Sequence, residues 1–257
     1  MIFVCEVIVA TSLIVRLGKE KFESSKRQKV NFFSESSPDH SLVNDLLNDL
    51  KNYPHAYVTA CLMDRQIRAE RAWTIPYEIK KSACTFKIND LKDITLSEYK
   101  KIFNKNKLHR FNDTMADIFH RAILDIWNKY KGDASLIWKN KPGSATVVYR
   151  FLEFKGGGVK IATMAANILA RDFKIPFSDY CSIDVSPDVH VVRVMKRMGL
   201  VDKSGNIDMV IYKARELNPE FPGIIDLVCW EVGTQFCRPT KPDCMNCIVS
   251  SECLKLL

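Results

Sequence analysis

The sequence contains 257 residues, of which 47% are hydrophobic, and it carries a formal net charge of +8 with a pI near 9.0. A chain of this length and apolar content can bury a sizeable core, as one large domain or two small ones, which excludes a disordered polypeptide. The positive charge favours polyanionic partners, because lysines and arginines that face phosphates release counterions, but it is equally typical of a solvated basic surface.

The chain begins with an apolar run, residues 1–18, that includes Glu6 and lacks the basic start and the small-residue cleavage site of a secretory signal. This run is also too short to span a bilayer comfortably, so we expect a buried strand or helix and no membrane association. Without a secretory signal, the nine cysteines indicate a reducing intracellular compartment, the cytoplasm or nucleoid, where clustered cysteines bind metal more often than they form disulfides. A charged, serine-rich stretch then leads to Ser41 and predicts an exposed connection.

Helical patterns dominate the next part of the chain. Helical spacing of apolar residues starts at Leu42 and ends at Pro54, and a second helical stretch covers residues 57–81. Within it, Gln66 stands among charged residues, where a solvated glutamine at a helix end is one interpretation. Residues 87–152 show further helical patterns without a strand-like alternation, which predicts an all-α fold. One apolar stripe is expected in the core and consists of Phe111, Met115, Ile118, Phe119, Ile123 and Trp127.

A run of three glycines, Gly156, Gly157 and Gly158, interrupts the helical patterns. Successive glycines are unfavourable inside a helix and permit positive φ, so they predict a tight turn. The apolar spacing from Ile161 onward predicts a buried helix directly after the turn, whose N-terminal amide groups could hold a phosphate. Lys160 opens this helix, where its amine could contact that phosphate or act as a nucleophile. A glycine-rich connection without a ligand is the alternative.

The segment DVHVVRV begins at Asp188, directly after Pro187, and predicts the start of another helix. An aspartate in this position can cap the helix, and in a low-dielectric pocket its carboxylate can stabilise a developing cation. Asp184, four residues upstream, is a second candidate for the carboxylate that stabilises such a cation. Only Asp188, however, is followed by His190 and Arg193, which lie about one helical turn apart and can position the acid or a phosphate.

Four cysteines near the C-terminus, Cys237, Cys244, Cys247 and Cys253, have the spacing C-x6-C-x2-C-x5-C. Four thiolates in so short a stretch, with proline bends around them, form a compact cage for a metal site. The donor chemistry alone leaves zinc and a [4Fe-4S] cluster open. The other cysteines show no ligand spacing and are expected to be core thiols, and they are Cys5, Cys61, Cys84, Cys181 and Cys229.

The glycine turn with Lys160, the sequence around Asp188 and the cysteine spacing together resemble the helix-hairpin-helix DNA glycosylases of the endonuclease III kind, the HhH-GPD superfamily. The main departure is Gly157, where that family prefers a branched apolar residue. The resemblance implies an all-α fold of two lobes with a cleft between them. It assigns residues 47–174 to a helical barrel lobe that ends in the hairpin. Residues 1–46 and 175–257 would form a discontinuous lobe that carries a [4Fe-4S] cluster loop.

The resemblance also implies the activity, a DNA glycosylase with AP-lyase activity that acts as a monomer on double-stranded DNA with a damaged or mismatched base. Lys160 would attack the sugar C1′ as the base leaves, and Asp188 would stabilise the sugar cation. Gln66 would enter the duplex near the extruded base, and an oxidised pyrimidine is the expected lesion. Further DNA contacts are implied for Lys155, Gly156, Gly157, Gly158, His190, Arg193, Arg238 and Lys241.

Alternatives to this activity remain open. A monofunctional glycosylase for mismatched or deaminated bases would use Lys160 only to contact phosphate. An iron-sulfur protein that binds DNA without catalysis belongs to a different class, and so does a structural protein held together by zinc. Each alternative predicts a different outcome for base release, strand scission or metal content.

Overall fold

The computed structural model describes residues 2–24 and 38–256, with side chains described for residues 13–24 and 39–256. Every regular element in these ranges is helical, which confirms the all-α prediction. The α-helices are α1 Ile2–Ser24, α2 Pro38–Asn48, α3 Pro54–Met63, α4 Ala69–Ala83, α5 Ile88–Leu91, α6 Leu96–Lys105, α7 Asn112–Tyr130, α8 Ser144–Leu152, α9 Val159–Arg171, α10 Val189–Arg197, α11 Ile207–Leu217 and α12 Asp226–Gln235. Two short 3-10 helices cover Ala134–Ile137 and Pro222–Ile225.

The N-terminal run forms a helix rather than a strand. Helix α1 continues to Ser24, well past the apolar residues that predict it. The expected exposed connection extends into residues 25–37, which lie outside the described part of the chain. Among the described helices, none is both long and apolar enough to cross a membrane.

The chain divides into two compact units. One consists of Met1–Lys26, Gly143–Val148 and Ala166–Leu257, and we call it the cysteine unit because it contains the four clustered cysteines. The other consists of Arg27–Pro142 and Tyr149–Ala165, and we call it the hairpin unit because it contains the glycine turn. The lobe boundaries implied by the family resemblance stay a prediction.

The core of the hairpin unit is centred on α3, in which every residue is buried. The Tyr57 hydroxyl donates to the carbonyl oxygen of Ala165 at 2.7 Å, so α3 is hydrogen-bonded to α9 inside the core. The predicted apolar stripe of α7 is buried at Met115, Ile118, Phe119 and Ile123. The prediction is wrong for Phe111, whose side chain is 44% exposed, because this residue precedes the first turn of α7 and does not share its buried face.

Two close helix contacts organise the cysteine unit. A Cβ on Gly18 of α1 would lie only 2.4 Å from the carbonyl oxygen of Ile224, so α1 touches the backbone of the 3-10 turn before α12. A Cβ on Gly233 of α12 would lie 2.7 Å from the Cβ of His190, so α10 approaches α12 just as closely. Because no real Cβ atom fits at such distances, glycine at these positions sets the spacing of the helices.

Candidate active-site residues and cysteine cage

The three glycines of the hairpin meet different requirements. Gly156 has a φ of +90°, which side chains disfavour. Gly157 packs so closely against the end of α8 that a Cβ would lie 2.1 Å from the carbonyl oxygen of Phe151. A Cβ on Gly158 would meet nothing within 4 Å, and the carbonyl of Gly158 accepts the first helical hydrogen bond of α9, from Ala162 N at 2.9 Å. The departure from the family pattern at Gly157 therefore has a local steric reason.

Lys160 is the second residue of α9 and is exposed. The helix begins at Val159, so the amide groups of its first turn follow the glycine turn directly. These amides have no carbonyl partner within the helix, and with the helix dipole they favour an anion at this end. The geometry thus supplies an anion-binding backbone and an accessible amine within one short segment.

Lys155, on the other side of the turn, is engaged by an acid of the same unit. Its ammonium group forms an ion pair with Asp117 of α7, with 2.5 Å between Nζ and Oδ2. Asp117 also accepts from Arg121 Nε at 2.9 Å. Partial burial acts to raise the pKa of Asp117, but the hydrogen bonds and charges of Lys155 and Arg121 outweigh it and lower this pKa. A phosphate at Lys155 would therefore compete with an internal carboxylate.

Gln66 lies on an exposed loop between α3 and α4 and has a φ of +54°. The neighbouring Arg65 extends toward the hairpin, where its Nη1 atom lies 3.1 Å from the position of a Cβ on Gly156. The Gln66 loop and the glycine turn are therefore neighbours within the hairpin unit. The duplex-entering role of Gln66 stays a prediction, but its loop is exposed beside the turn, as that role requires.

Asp188 is the N-cap of α10. Its Oδ1 atom accepts hydrogen bonds from the backbone N–H groups of His190 and Val191, both at 2.8 Å. Asp184, the competing acid, is buried and accepts two hydrogen bonds from Arg215, both at 2.8 Å. Asp184 is thus held in a bidentate ion pair, whereas half-buried Asp188 keeps its Oδ2 atom outside the cap.

The approach to Asp188 is fixed by a residue that sequence reasoning missed. Asp226, the first residue of α12, accepts a hydrogen bond from Ser186 N at 2.6 Å. The carbonyl of Ser186 in turn accepts from Asp188 N at 2.6 Å. Ser186 is buried, so its N–H needs such a partner. No local pattern marks Asp226, because it is 40 residues away from Ser186 in the chain.

His190 and Arg193, predicted to contact DNA, lie in a network within the cysteine unit. Arg193 Nη2 and His190 Nδ1 are 3.0 Å apart. Arg193 also donates to the carbonyl oxygens of Gly233, at 2.8 Å, and Cys237, at 2.6 Å. The helix that Asp188 caps is therefore hydrogen-bonded to the end of α12 and to the first of the clustered cysteines. DNA contacts by either residue stay a prediction.

The clustered cysteines Cys237, Cys244, Cys247 and Cys253 all line one cavity of about 390 Å³, counting the solvent-open space at its mouth. Arg197 Nη1 donates to the sulfur of Cys237 at 3.5 Å, and Lys255 N donates to the sulfur of Cys253 at 3.4 Å. Burial raises the pKa of the Cys247 and Cys253 thiols. Among the described residues, no three His, Cys, Asp or Glu side chains are grouped closely enough to bind a single metal ion.

The first loop of the cage exposes the two cations predicted to contact phosphate. Arg238 and Lys241 are both exposed, and Lys241 has a φ of +53°. Arg197, which sequence reasoning missed, donates to the carbonyl oxygens of Arg238, at 2.6 Å, and Pro239, at 2.9 Å. The loop that carries the exposed cations is thereby held to α10.

The cysteines outside the cage differ from one another. Cys61 and Cys229 are buried, as predicted for core thiols. Cys84 and Cys181 are exposed, so the prediction is wrong for them, because Cys84 ends α4 and Cys181 lies in the loop before α10. The side chain of Cys5 lies outside the described residues.

Comparisons with known proteins place the fold. No family model and no curated protein matches the sequence. Among solved structures, a thermostable thymine-DNA glycosylase matches with a TM-score of 0.60 and 16% identity, over 96% of this chain and 95% of that chain. An endonuclease III in a non-covalent complex with DNA matches with a TM-score of 0.59 and 15% identity, over 84% of this chain and 93% of that chain. An endonuclease III trapped as a covalent intermediate with DNA, in an estranged-adenine complex, matches with a TM-score of 0.56 and 16% identity, over 84% and 95%.

These matches cover both units of the chain and agree with the resemblance that the hairpin, the acid and the cysteines indicate. The protein has an all-helical fold that is similar to the folds of these endonuclease III and thymine-DNA glycosylase structures.

Proposed function

We propose that this protein is a DNA glycosylase with AP-lyase activity, which acts as a monomer on double-stranded DNA and removes a damaged base. The observation that carries the proposal is the hairpin, in which a glycine turn leads into the exposed N-terminus of α9 with Lys160 in its first turn. The fold of the solved relatives, one of them covalently trapped on DNA, supports the same reading.

The hairpin would bind the DNA backbone. The amide groups at the start of α9 offer donors without a competing carbonyl, and the glycines let a phosphate approach closely. Exposed cations nearby, Arg65 among them, would add attraction that does not depend on the base sequence. A base within a stacked duplex cannot be reached by either catalytic group, so the target nucleotide must be flipped out.

Lys160 would supply the nucleophile. Its neutral amine attacks C1′ of the sugar, the N-glycosidic bond breaks, and the base leaves with the bonding electrons and takes up a proton. Ring opening of the resulting adduct gives a Schiff base between C1′ and Nζ. Loss of a C2′ proton then expels the 3′ phosphate and nicks the strand. The attack uses the lone pair of the neutral amine.

Asp188 would stabilise the positive charge that develops on the sugar. The two amide bonds that cap α10 both end on Oδ1, which leaves Oδ2 to face the substrate. The cap also holds the carboxylate in one orientation, and such preorganisation is what makes a charged group effective in a transition state. Asp184 is a poorer choice, because both of its oxygens accept from Arg215.

We further propose that Cys237, Cys244, Cys247 and Cys253 hold a [4Fe-4S] cluster. Four thiols on the wall of one cavity, with N–H donors directed at two of the sulfurs, form a donor set that suits such a cluster. Bound there, the cluster would contribute folding free energy to a terminal segment with little core of its own. Iron and sulfide analysis with visible absorbance tests this, and stoichiometric zinc without iron would overturn it.

An oxidised pyrimidine is the lesion we propose, and a mismatched thymine or deaminated base is the second candidate. The observation that supports the second candidate is the match to a thymine-DNA glycosylase, which extends over 96% of this chain. A monofunctional glycosylase of this second kind would release the base without strand scission.

One experiment separates these functions. Duplexes that each carry a single lesion or mismatch are incubated with the wild type and with Lys160→Gln, and base release and strand scission are scored separately. Borohydride should trap a covalent adduct with the wild type and none with the variant. Base release without an adduct supports the monofunctional alternative. DNA binding without any base release, unchanged in Asp188→Asn, would support the non-catalytic alternative.

A further inference from the structure

A buried histidine joins the loops beside the hairpin. His109 lies in the loop between α6 and α7, which we call the His109 loop and which covers residues 106–111. Its side chain contacts the loop between α3 and α4, residues 64–68, which we call the Gln66 loop. Only 2% of His109 is exposed, although the sequence places it in a basic run that is typical of a solvated face.

Both ring nitrogens of His109 are engaged by backbone groups. The N–H of Phe111 donates to Nδ1 at 3.1 Å, so Nδ1 must be unprotonated. The proton of the neutral ring is then on Nε2, which donates to the carbonyl oxygen of Arg65 at 2.9 Å. Only this neutral tautomer makes both bonds, because the protonated ring would turn a donor toward the N–H of Phe111.

The bond to Arg65 connects the two loops to the hairpin. The backbone of Arg65 is held by His109, and its guanidinium group lies beside Gly156, with 3.1 Å between Nη1 and the position of a Cβ there. Arg71 of α4 adds a second tie to the His109 loop, since its Nε donates to the carbonyl oxygen of Leu108 at 3.1 Å. Three segments of the hairpin unit thus meet through one imidazole ring and two arginines.

The surroundings favour the neutral ring. Burial is the largest cause that lowers the pKa of His109, and the charges of Arg71, Arg110 and Arg65 lower it further, while the carbonyl of Arg65 acts in the opposite direction. These arginines belong to α4, to the His109 loop and to the Gln66 loop. Protonation would therefore place a positive charge among three others and break a hydrogen bond to Phe111.

We propose that His109 is a positioning residue, which holds Arg65, and with it the Gln66 loop, beside the hairpin through its Nε2 bond and is itself oriented by the bond from Phe111. Protonation breaks the Phe111 bond, so the ring loses its fixed orientation and the hold on the Gln66 loop loosens. The proposal rests on the proposed function in one respect, namely that DNA binds to the hairpin and to the Gln66 loop beside it. The link between the loops themselves can be measured without DNA.

Three substitutions separate the two bonds. His109→Gln can place an amide nitrogen near Nε2 and keep the bond to Arg65, whereas His109→Asn can place an oxygen near Nδ1 and keep the bond from Phe111. His109→Ala removes both. His120→Gln is the matched control, because His120 is also a partly buried histidine with a lowered pKa but lies on α7, outside both loops.

The first measurement is amide hydrogen exchange on the free protein. We expect the Phe111 amide to lose protection in His109→Gln and His109→Ala, which lack the bond at Nδ1. The amides of the Gln66 loop should lose protection in His109→Asn and His109→Ala, which lack the bond to Arg65. Both sets of amides should stay protected in the His120 control. Equal protection in all variants would overturn the proposal. Thermal unfolding of each variant is recorded alongside, so that exchange is compared only between folded proteins.

The second measurement is the affinity for a duplex with an abasic-site analogue as a function of pH. We expect His109→Ala to bind about tenfold more weakly than the wild type near neutral pH, in line with the loss of two ordinary hydrogen bonds. Wild-type affinity should also fall below pH 6.5 more steeply than that of His109→Gln. Unchanged affinity and pH dependence in His109→Ala would overturn the proposal. A wild type that binds no DNA would overturn the proposed function instead, and the exchange data would still decide whether His109 holds the loops.

Discussion

The segment that carries Lys160 and the segment that carries Asp188 are built in different ways. The hairpin before Lys160 depends on the absence of side chains, since Gly156 needs a positive φ and Gly157 touches the Phe151 carbonyl. The segment before Asp188 depends on side chains from elsewhere, since Asp226 holds Ser186. The turn tolerates almost no substitution at Gly156 and Gly157, whereas the segment before Asp188 loses its position when a distant partner, Asp226, is lost.

The largest expected effect concerns the acid itself. In Asp188→Asn, base release should slow by about two to three orders of magnitude, because the charge that faces the developing cation is lost. Asparagine is also a good N-cap, so the melting temperature should change little. Single-turnover base release and thermal unfolding, measured together, test whether Asp188 is primarily an acid or primarily a cap. A full rate with a lowered melting temperature would show that it only caps α10.

A side chain at Gly157 should destabilise the hairpin by a steric clash. Gly157→Ala should lower the free energy of unfolding by about 2 kcal/mol, because its Cβ would clash with a carbonyl oxygen that cannot move away easily. Gly158→Ala is the matched control, since a Cβ there meets nothing within 4 Å. Urea unfolding should therefore rank Gly157→Ala well below Gly158→Ala. Equal losses for the two variants would contradict the steric reading of the turn.

Loss of Asp226 should disturb Asp188, because Asp226 holds the backbone of Ser186 just before it. In Asp226→Ala the buried N–H of Ser186 loses its acceptor, and we expect base release to slow about tenfold, as for a buried group left unpaired. Asp226→Asn should recover most of the rate, because its amide oxygen can still accept. DNA affinity should stay within about twofold of the wild type in both variants, a difference too small to reflect a lost contact. A loss of affinity that accounts for the whole rate effect would argue against positioning.

The smallest effect is expected at the ion pair beside the turn. Asp117→Asn should strengthen DNA binding about twofold, because Lys155 would no longer be shared with an internal carboxylate. The gain should shrink as salt is added. Weaker binding in this variant would show that Asp117 orients Lys155 for DNA instead of competing with it.

The same pair predicts a pH dependence of stability. The pKa of Asp117 is lowered from its ordinary value of 3.8, so its contribution is present above that value and is lost as pH falls through the lower pKa of the folded state. The difference in unfolding free energy between the wild type and Asp117→Asn should therefore vanish in strong acid. Urea unfolding at several pH values checks this.

Local patterns in the sequence predicted the parts of the site that depend on neighbours in the chain. The glycine turn, the helix after it and the N-cap at Asp188 follow from residues that lie next to one another, and the structure has all three. Asp226 and His109 were beyond such reasoning. Each acts on a partner 40 or more residues away, and nothing in the adjacent residues marks it as buried and paired.

The missed exposure of Phe111 has a similar origin. Periodicity assigns a residue to a helical face, but it does not show at which residue the helix begins. Phe111 lies one residue before α7, and this is enough to leave its side chain exposed. The role of each site residue on DNA remains a prediction, since roles depend on a substrate that no fold comparison supplies.

The contact between Gly233 and His190 means that the backbone of α12 sets the position of α10 and of its N-cap, Asp188. Since α10 rests directly on the α12 backbone there, even a methyl group at this position would push α10 outward and carry Asp188 with it. The Asp188 carboxylate would be chemically unchanged but displaced from its position. If Asp188 has the proposed role, a substitution at Gly233 therefore changes the rate of base release through the position of α10.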